Sequence, residues 1–372
     1  MKRALVLLAA FILTGCGGAA APAASTSGAG AANPGSPSAA ASAKPAGSAA
    51  SAAATAAGAS GVATASSQPA TKLVVSYGEL VPQSVPEFLA KDVGIYQQHG
   101  IDADLRLIVS SAEIAALVSG ETQIASSGGP IVLSAVAGGA DLVVTAAIAG
   151  LSPFALYVQP SIKTIADLKG KNVGISKFGS PSDIAMRMAM RKNGMDPNKD
   201  VRFVELGSTQ ARTAALLQGT IDGGMANPLE AQQLIKGGLH VVYDATKDHQ
   251  PSAQSVVVAK RDWVAGHREV MQRYVDAIVQ AIARTNQDKA TSVATMKKWF
   301  KSDDDQLMGS VWDAYSSSGL WPNVPYATPE MFADAKEVIA ATNPKMADYD
   351  VTKLLDNSFV KSAEERGLTG KK

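Results

Sequence analysis

AALVSG at residues 115–120 and AALLQG at residues 214–219 are one short phrase written twice, and their surroundings decide the architecture. Each phrase ends a helical stretch on a glycine. A short polar step follows, then a strand that reaches Ser126-Ser127 in the first copy and Ala226-Asn227 in the second. An alanine-rich chain can repeat six residues by chance. Here the repeat falls at the same point of the same strand–helix–strand order, which predicts two lobes of similar build.

Outward from the first copy, Lys72–Tyr77 (KLVVSY), Asp104–Val109, Gln123–Ala125, Leu142–Ala147 and Phe154–Val158 are short β-branched or apolar runs that predict strands. Ser84-Val85-Pro86-Glu87 and Ser110-Ser111-Ala112-Glu113 read as capping boxes, in which a hydroxyl and a glutamate satisfy the first free amides of a helix. Ser127-Gly128-Gly129-Pro130 opens a further helix, with proline tolerated in the first turn. The pattern restarts with strands at Asn172–Ser176 and Val201–Glu205. Gly179-Ser180-Pro181-Ser182 and Gly207-Ser208-Thr209 open the helices that follow them. After one more strand, Gln254–Lys260, the chain turns helical. Val270, Tyr274, Ile278 and Ile282 recur every fourth residue, and Trp263, Trp299, Trp312 and Trp321 are expected to pack these helices onto the first lobe. The alternation predicts an α/β fold of βαβ units, each lobe a largely parallel sheet covered on both faces. Residues 71–160 and 250–372 are expected to form lobe I, and residues 161–249 lobe II.

Residues 1–15 have the form of an export signal: Lys2 and Arg3, an apolar run from Ala4 to Leu13, then Thr14-Gly15 before Cys16. The run is about ten residues, half of what a bilayer-spanning helix needs. Leu13-Thr14-Gly15-Cys16 resembles the bacterial lipobox, which implies that the Cys16 sulfur is diacylated after cleavage. Cys16 is the only cysteine, so it has no disulfide partner within the chain. Residues 16–70 are nearly all Ala, Ser, Gly, Pro and Thr and cannot bury enough apolar surface to offset the entropy of ordering, so a disordered tether reaching about 40 Å is expected. A net charge of +1 with no basic stripe argues against nucleic acid as a partner. The membrane is expected to be met only through the lipid, on the outer face of the cell membrane or the periplasmic side of an outer one.

LAKDVGIYQQHGID (89–102), ALVSGETQIASSGG (116–129), IADLKGKNVGIS (165–176), GMDPNKDVRFVELGS (194–208), ALLQGTIDGGMANP (215–228) and DNSFVKSAEERGL (356–368) resemble, in that order, the substrate-binding proteins of ABC importers for nitrate, sulfonates, taurine and pyrimidine thiamine precursors. The resemblance implies a type II periplasmic-binding-protein fold that closes on a small polar or anionic ligand and delivers it, as a monomer, to an importer permease. Gln123 stands where the family usually has Asp, whereas the second copy keeps Asp222; an effect on local capping is expected rather than one on the ligand.

In open parallel sheets ligands sit beyond the carboxyl ends of the strands, where helix starts offer free amides and partial positive charge. The candidate ligand residues are therefore Ser84, Ser110, Ser111, Ser127, Gly128, Gly129, Gly179, Ser180, Ser182, Ser208, Thr209 and Asn227. Lys177 would add a charge, Glu79 beside Gly78 would suit a ligand amine, and Tyr77 and Phe178 would cover apolar ligand surface. The competing reading of each Ser, Thr and Asn is a helix cap. An enzyme is the alternative in a different class, but His99, His240, His249 and His267 have no metal-ligand spacing, and nucleotide and nucleophile-elbow motifs are missing. No cofactor or metal is expected. Some relatives make a thiamine precursor with an active-site histidine and clustered cysteines, which a chain with one cysteine does not support. A stalked structural surface protein would explain the tether but not the family segments.

Overall fold

The computed structural model describes residues 70–109 and 111–369, all within one compact unit. The expectations for Cys16, for the signal and for the segment up to residue 69 lie outside the described residues, as does Ser110.

Ten strands follow one another: β1 (Thr71–Tyr77), β2 (Ile101–Leu107), β3 (Ile124–Ser127), β4 (Leu142–Leu151), β5 (Ala155–Val158), β6 (Asn172–Ile175), β7 (Arg202–Glu205), β8 (Gly223–Ala226), β9 (His240–Asp244) and β10 (Pro251–Lys260). They form two five-stranded sheets, ordered β2-β1-β3-β10-β4 and β7-β6-β8-β5-β9. Replacing β1, β2, β3, β10 and β4 by β6, β7, β8, β5 and β9 turns one order into the other, so the internal echo extends to the topology. Each sheet is mixed rather than largely parallel. β10 runs antiparallel to β3 and β4, and β5 runs antiparallel to β8 and β9. The reason is connectivity: in each sheet the reversed strand arrives from the other lobe and enters from the side where its neighbours end. The change of sheet falls at residues 152–154, so β5 belongs to the second sheet and not to the first lobe as expected. β9 had no sequence signal, being a half-exposed edge strand without clean alternation.

Gln123 and Asp222 occupy matching places. The Gln123 side chain accepts the Val74 amide at 2.9 Å while its own amide donates to Val74 O; Asp222 does the same with Asn172. The longer amide side chain keeps the staple between strand and helix–strand step, so the exchange stays local.

The helices are α1 (Val85–Asp92), α2 (Ile95–Gln98), α3 (Ser111–Ser119), α4 (Gly129–Ala137), α5 (Pro181–Lys192), α6 (Thr209–Leu217), α7 (Pro228–Lys236), α8 (Arg261–Gly266), α9 (Arg268–Gln287), α10 (Lys289–Phe300), α11 (Asp305–Ser317), α12 (Ala333–Ala340) and α13 (Ser358–Glu365). They cover both sheets on both faces. In β10, Val257 and Ala259 join one core cluster while Val256 and Val258 join the other, as a strand buried on two sides requires. Tyr274, Ile278 and Ile282 on α9 are fully buried in the first of these clusters, which Trp263, Trp312 and Trp321 also join. The fourth tryptophan, Trp299, stacks on Phe88 at 4.2 Å, so all four pack against the first lobe.

The two expected capping boxes are not formed as read. Ser84 precedes α1 without a side-chain cap bond, and Glu87 turns inward, 1% exposed, to accept the Tyr274 hydroxyl at 3.2 Å. Glu113 on α3 likewise turns inward and is fully buried. In both helices the glutamate lies on the core-facing side, and the neighbourhood offers its carboxyl a protein partner or a cavity instead of the cap amide.

Candidate functional site

At the carboxyl ends of β1, β3 and β6, and at the start of α6, the two lobes line a cavity of about 430 Å³. From the first lobe it is lined by Gly78, Glu79, Gln83, Ser84, Glu113, Ser126, Ser127, Gly128, Gln254 and Ser255, and from the second by Ser176, Lys177, Phe178, Gly179, Ser180, Ser182, Thr209 and Arg212. Ile114, Ile131, Phe154 and Pro181 add apolar wall.

Eleven of the expected residues therefore meet in one cleft: Gly78, Glu79, Ser84, Ser127, Gly128, Lys177, Phe178, Gly179, Ser180, Ser182 and Thr209. Others do not. Tyr77 packs edge-on against Phe88 at 5.1 Å and beside Trp299, because the alternation of β1 points it into the core. Gly129 is wedged where a Cβ would come within 2.3 Å of the Ala253 Cβ, away from the cleft. Ser208 and Asn227 are helix caps, accepting from the Ala211 amide at 3.2 Å and the Leu229 amide at 3.1 Å. Ser111 is the first residue of α3, and Ser110 lies outside the described residues.

The helix starts that do face the cleft are not bare. The Gly179 amide donates to Asp183 Oδ2 at 2.8 Å, and the Phe178 amide to Glu205 Oε1 at 2.6 Å. The Thr209 amide and hydroxyl both donate to Glu79 Oε1, at 3.0 and 3.2 Å. Ser180 caps α5 through the Asp183 amide at 3.4 Å, and Ser182 accepts the Ser176 amide at 3.0 Å. Asp183 is itself buried against Arg187 at 2.7 Å, which consumes much of the positive end of α5. The expectation that bare amides hold the ligand is thus corrected for α5 and α6.

Full positive charge comes from a residue that the sequence reading missed. Arg212 is 1% exposed, yet its head reaches the cleft. Its stem lies over two strand glycines: a Cβ on Gly174 would meet Arg212 Cγ at 3.2 Å, and one on Gly224 would meet Cδ at 3.3 Å. The guanidinium donates to Met225 O at 2.5 Å, Ser176 Oγ at 2.7 Å and Thr209 Oγ1 at 3.3 Å. Burial pulls its pKa down, while Glu79 and Glu230 hold it up. Glycines on neighbouring strands, facing the same side, were the available signal that a long side chain lies there.

The first lobe brings acceptors. Glu113 is completely buried, neither of its oxygens completes a hydrogen bond of ordinary geometry, and the Ser127 hydroxyl lies close enough to favour its charged form. Burial pushes its carboxyl up to about 8. Gly78 makes room for it, since a Cβ there would lie 2.8 Å from Glu113 Oε2. Ser126 and Ser255 pair hydroxyl to hydroxyl at 3.0 Å beside it. Among the described residues no group of three or more metal-ligating side chains clusters.

Two similar lobes with a polar cleft at their strand ends define a two-lobed, periplasmic-binding-protein fold. The chain belongs to the NMT1/THI5-like family, whose model matches residues 81–290. It is 25% identical over 222 residues to a Brucella abortus protein named only as a binding protein, covering 59% of this chain and 68% of the relative. Over 191 residues it is 30% identical to an Escherichia coli protein named for binding aliphatic sulfonates, covering 49% of this chain and 57% of that one. The crystal structure of the periplasmic aliphatic sulphonate binding protein SsuA from Escherichia coli shares the fold, with a TM-score of 0.61, 23% identity and coverage of 76% and 91% of the two chains.

Proposed function

We propose that the protein is the solute-capturing component of an ABC importer, holding one small organic anion between its lobes and handing it to a permease. The observation that carries this reading is Arg212: a buried, fixed guanidinium at the mouth of strands β6 and β8, facing a closed cleft. A desolvated guanidinium is the side chain best suited to a sulfonate or carboxylate, because its planar donors match two acceptor oxygens. The cavity size argues for an organic ligand over a bare oxyanion such as nitrate. About 430 Å³ with apolar walls lies in the range of organic-ligand clefts, whereas a small inorganic ion occupies little more than a water's share of roughly 30 Å³. Among the family's ligand classes this favours sulfonates and places pyrimidine thiamine precursors second. A binding role, not catalysis, is supported by relatives named for binding. Lipid attachment through Cys16 and the tether at residues 16–70 would keep the monomer near its permease.

The test is native mass spectrometry of the gently purified protein, followed by a thermal-shift screen of alkane- and arylsulfonates, nitrate and pyrimidines. A ligand at a hundred times its dissociation constant stabilises the fold by about 2.7 kcal/mol. Sulfonates that raise the melting temperature of the parent but not of Arg212→Lys are expected. If no sulfonate shifts the parent, the reading fails.

A further inference from the structure

A carboxyl stands in the first-lobe wall of a cleft read as an anion site, and its surroundings decide which form of it can stay there. Glu113 is fully buried, lines the cavity, and has neither oxygen in a hydrogen bond of ordinary geometry. Gly78 lets it stand there, since a Cβ at that position would come to 2.8 Å from Glu113 Oε2. Facing the carboxyl are Glu87 from α1, Glu79 from the loop after β1, and Lys177 and Arg212 from across the cleft. Tyr77 on β1 lies by Glu87, and α4 and β3 contain no titratable residue. From β10 the cleft receives Gln254 and Ser255. The neighbouring carboxyls are thus on its own lobe, and both cations come from the other. Arg212 already donates to Met225 O, Ser176 Oγ and Thr209 Oγ1. A buried carboxylate among carboxyls is disfavoured twice, by lost hydration and by like charge, so the neutral acid prevails.

A neutral carboxyl differs from a carboxylate in having an O–H to give. The Ser127 hydroxyl is placed to donate to the carboxyl, so what the acid still offers the cleft is its own proton. Resting on the reading of the cleft as an anion site, we infer that Glu113 meets the ligand's acidic group as a neutral carboxylic acid, giving it a hydrogen bond from the first lobe while Arg212 binds it from the second. Capture then holds one anion and one proton together. The loop after β1 brings the two donors to one place. Glu113 packs against Gly78, and the adjacent Glu79 reaches Thr209, whose hydroxyl oxygen also accepts from Arg212. Where Glu113 is ionised before binding, its proton enters from solvent with the anion and returns there on release.

The electrostatics agree with this placement. Burial and the Glu87 carboxyl push the Glu113 carboxyl up to about 8, while the Ser127 hydroxyl opposes the shift. A bound anion raises it further, because like charge beside a carboxyl favours the protonated form. Affinity is therefore full below the ligand-free midpoint of Glu113 and falls above it, where binding must first restore the proton.

Butanesulfonate and 4-methylbenzenesulfonate are suitable probes, because a sulfonate stays ionised throughout the range tested. Their affinities for the parent, Glu113→Gln and Ser127→Ala are measured by calorimetry from about pH 6 to about pH 9, with melting recorded at each pH to confirm folding. Affinity of the parent should be level to about pH 7 and roughly tenfold weaker by pH 9, at one factor of ten per unit above the midpoint. Titration at pH 9 in two buffers of different ionisation enthalpy should show uptake of close to one proton, and at pH 6 of none. Glu113→Gln should bring the affinities at the two ends within about twofold and abolish the uptake, which assigns the proton to this carboxyl and not to Glu87 or Glu230. Ser127→Ala removes the bond that favours the carboxylate, so its fall in affinity should move to higher pH. That variant carries the test if Glu113→Gln does not fold. An affinity that is level or rises with pH in the parent, an uptake that survives in Glu113→Gln, or a fall that stays in place in Ser127→Ala overturns the inference and leaves the proposed function standing. Binding of neither probe at any pH overturns both.

Discussion

Three buried glutamates decide how this protein responds to pH. Glu87 and Glu230 are each pushed to about 7 and Glu113 to about 8, all from an ordinary 4.5 and all chiefly by burial. Between pH 4.5 and 8 the folded state therefore binds more protons than the unfolded one, and stability falls as pH rises. The contribution is fully present below pH 4.5 and is lost through pH 7 to 8. With about 1.4 kcal/mol per pKa unit and about 2–4 °C per kcal/mol for a chain of this size, the ligand-free protein should melt roughly 10–20 °C lower at pH 8.5 than at pH 6. Glu113→Gln should flatten that slope, and a slope unchanged in the variant would show that Glu113 is already ionised in the fold. None of this was legible from residue types alone. Glu87 and Glu113 stand three residues after a serine, where the sequence pattern reads a cap. Only the side of the helix that faces the core decides that they turn inward. Arg212 was hidden for a similar reason, since its neighbours in sequence are ordinary helix residues and its partners lie on β6 and β8.

At the level of elements, the strands and helix starts were legible because each rests on a local signal: a β-branched run, a glycine stop, a hydroxyl before a proline. Which helix starts merely cap and which also face the cleft was not, because that depends on packing between lobes. Two substitutions separate the roles. Ser180→Ala removes the cap of α5 and should cost about 1 kcal/mol of stability. Ser127→Ala removes a hydroxyl that caps nothing, since Gly128 is the N-cap of α4 and no side chain caps that helix, and should leave melting nearly unchanged while weakening binding about three- to tenfold. Equal melting losses in both would make Ser127 a structural residue. A third substitution tests how α4 is seated. Gly129→Ala would drive a Cβ to 2.3 Å from the Ala253 Cβ on β10 and 2.8 Å from the Phe332 ring. Neither neighbour can retreat cheaply, so a loss of about 1–3 kcal/mol is expected by thermal melting. A neutral result would mean that α4 can slide on β10 and that the cleft wall is less fixed than its packing implies.

Across the whole molecule, the lobes meet around the cleft at several points, and one of them lies in the candidate site itself. Glu79, on the loop after β1, takes both the Thr209 amide and the Thr209 hydroxyl at the start of α6. Its carboxylate thus sits at a helix start beside Arg212, where an anionic ligand group would compete for the same donors. Elsewhere the lobes touch through Arg191 and Glu337 at 2.5 Å, through α5, whose Ile184 and Met188 pack on a first-lobe core cluster, and through α7, which lies against α11 and whose Leu229 packs on the other cluster. The Arg191–Glu337 pair is largely solvent-exposed and contributes little by itself. On the proposed function, Glu79 is expected to latch the lobes together and to yield, or share Thr209, when ligand arrives. Glu79→Ala should open the empty protein, seen as a larger radius of gyration by small-angle scattering, while Glu337→Ala should leave the radius unchanged. Opening lowers the population that is already closed, yet it also frees Thr209 and Arg212 for the ligand. Because the freed donors are charged or belong to a helix start, the second effect should prevail. The association rate for a sulfonate ligand should rise severalfold in Glu79→Ala, with the dissociation rate changed less. An unaltered radius together with an unaltered association rate would remove Glu79 from the closing mechanism and leave the lobes held by the packing of α5 and α7 on the first lobe.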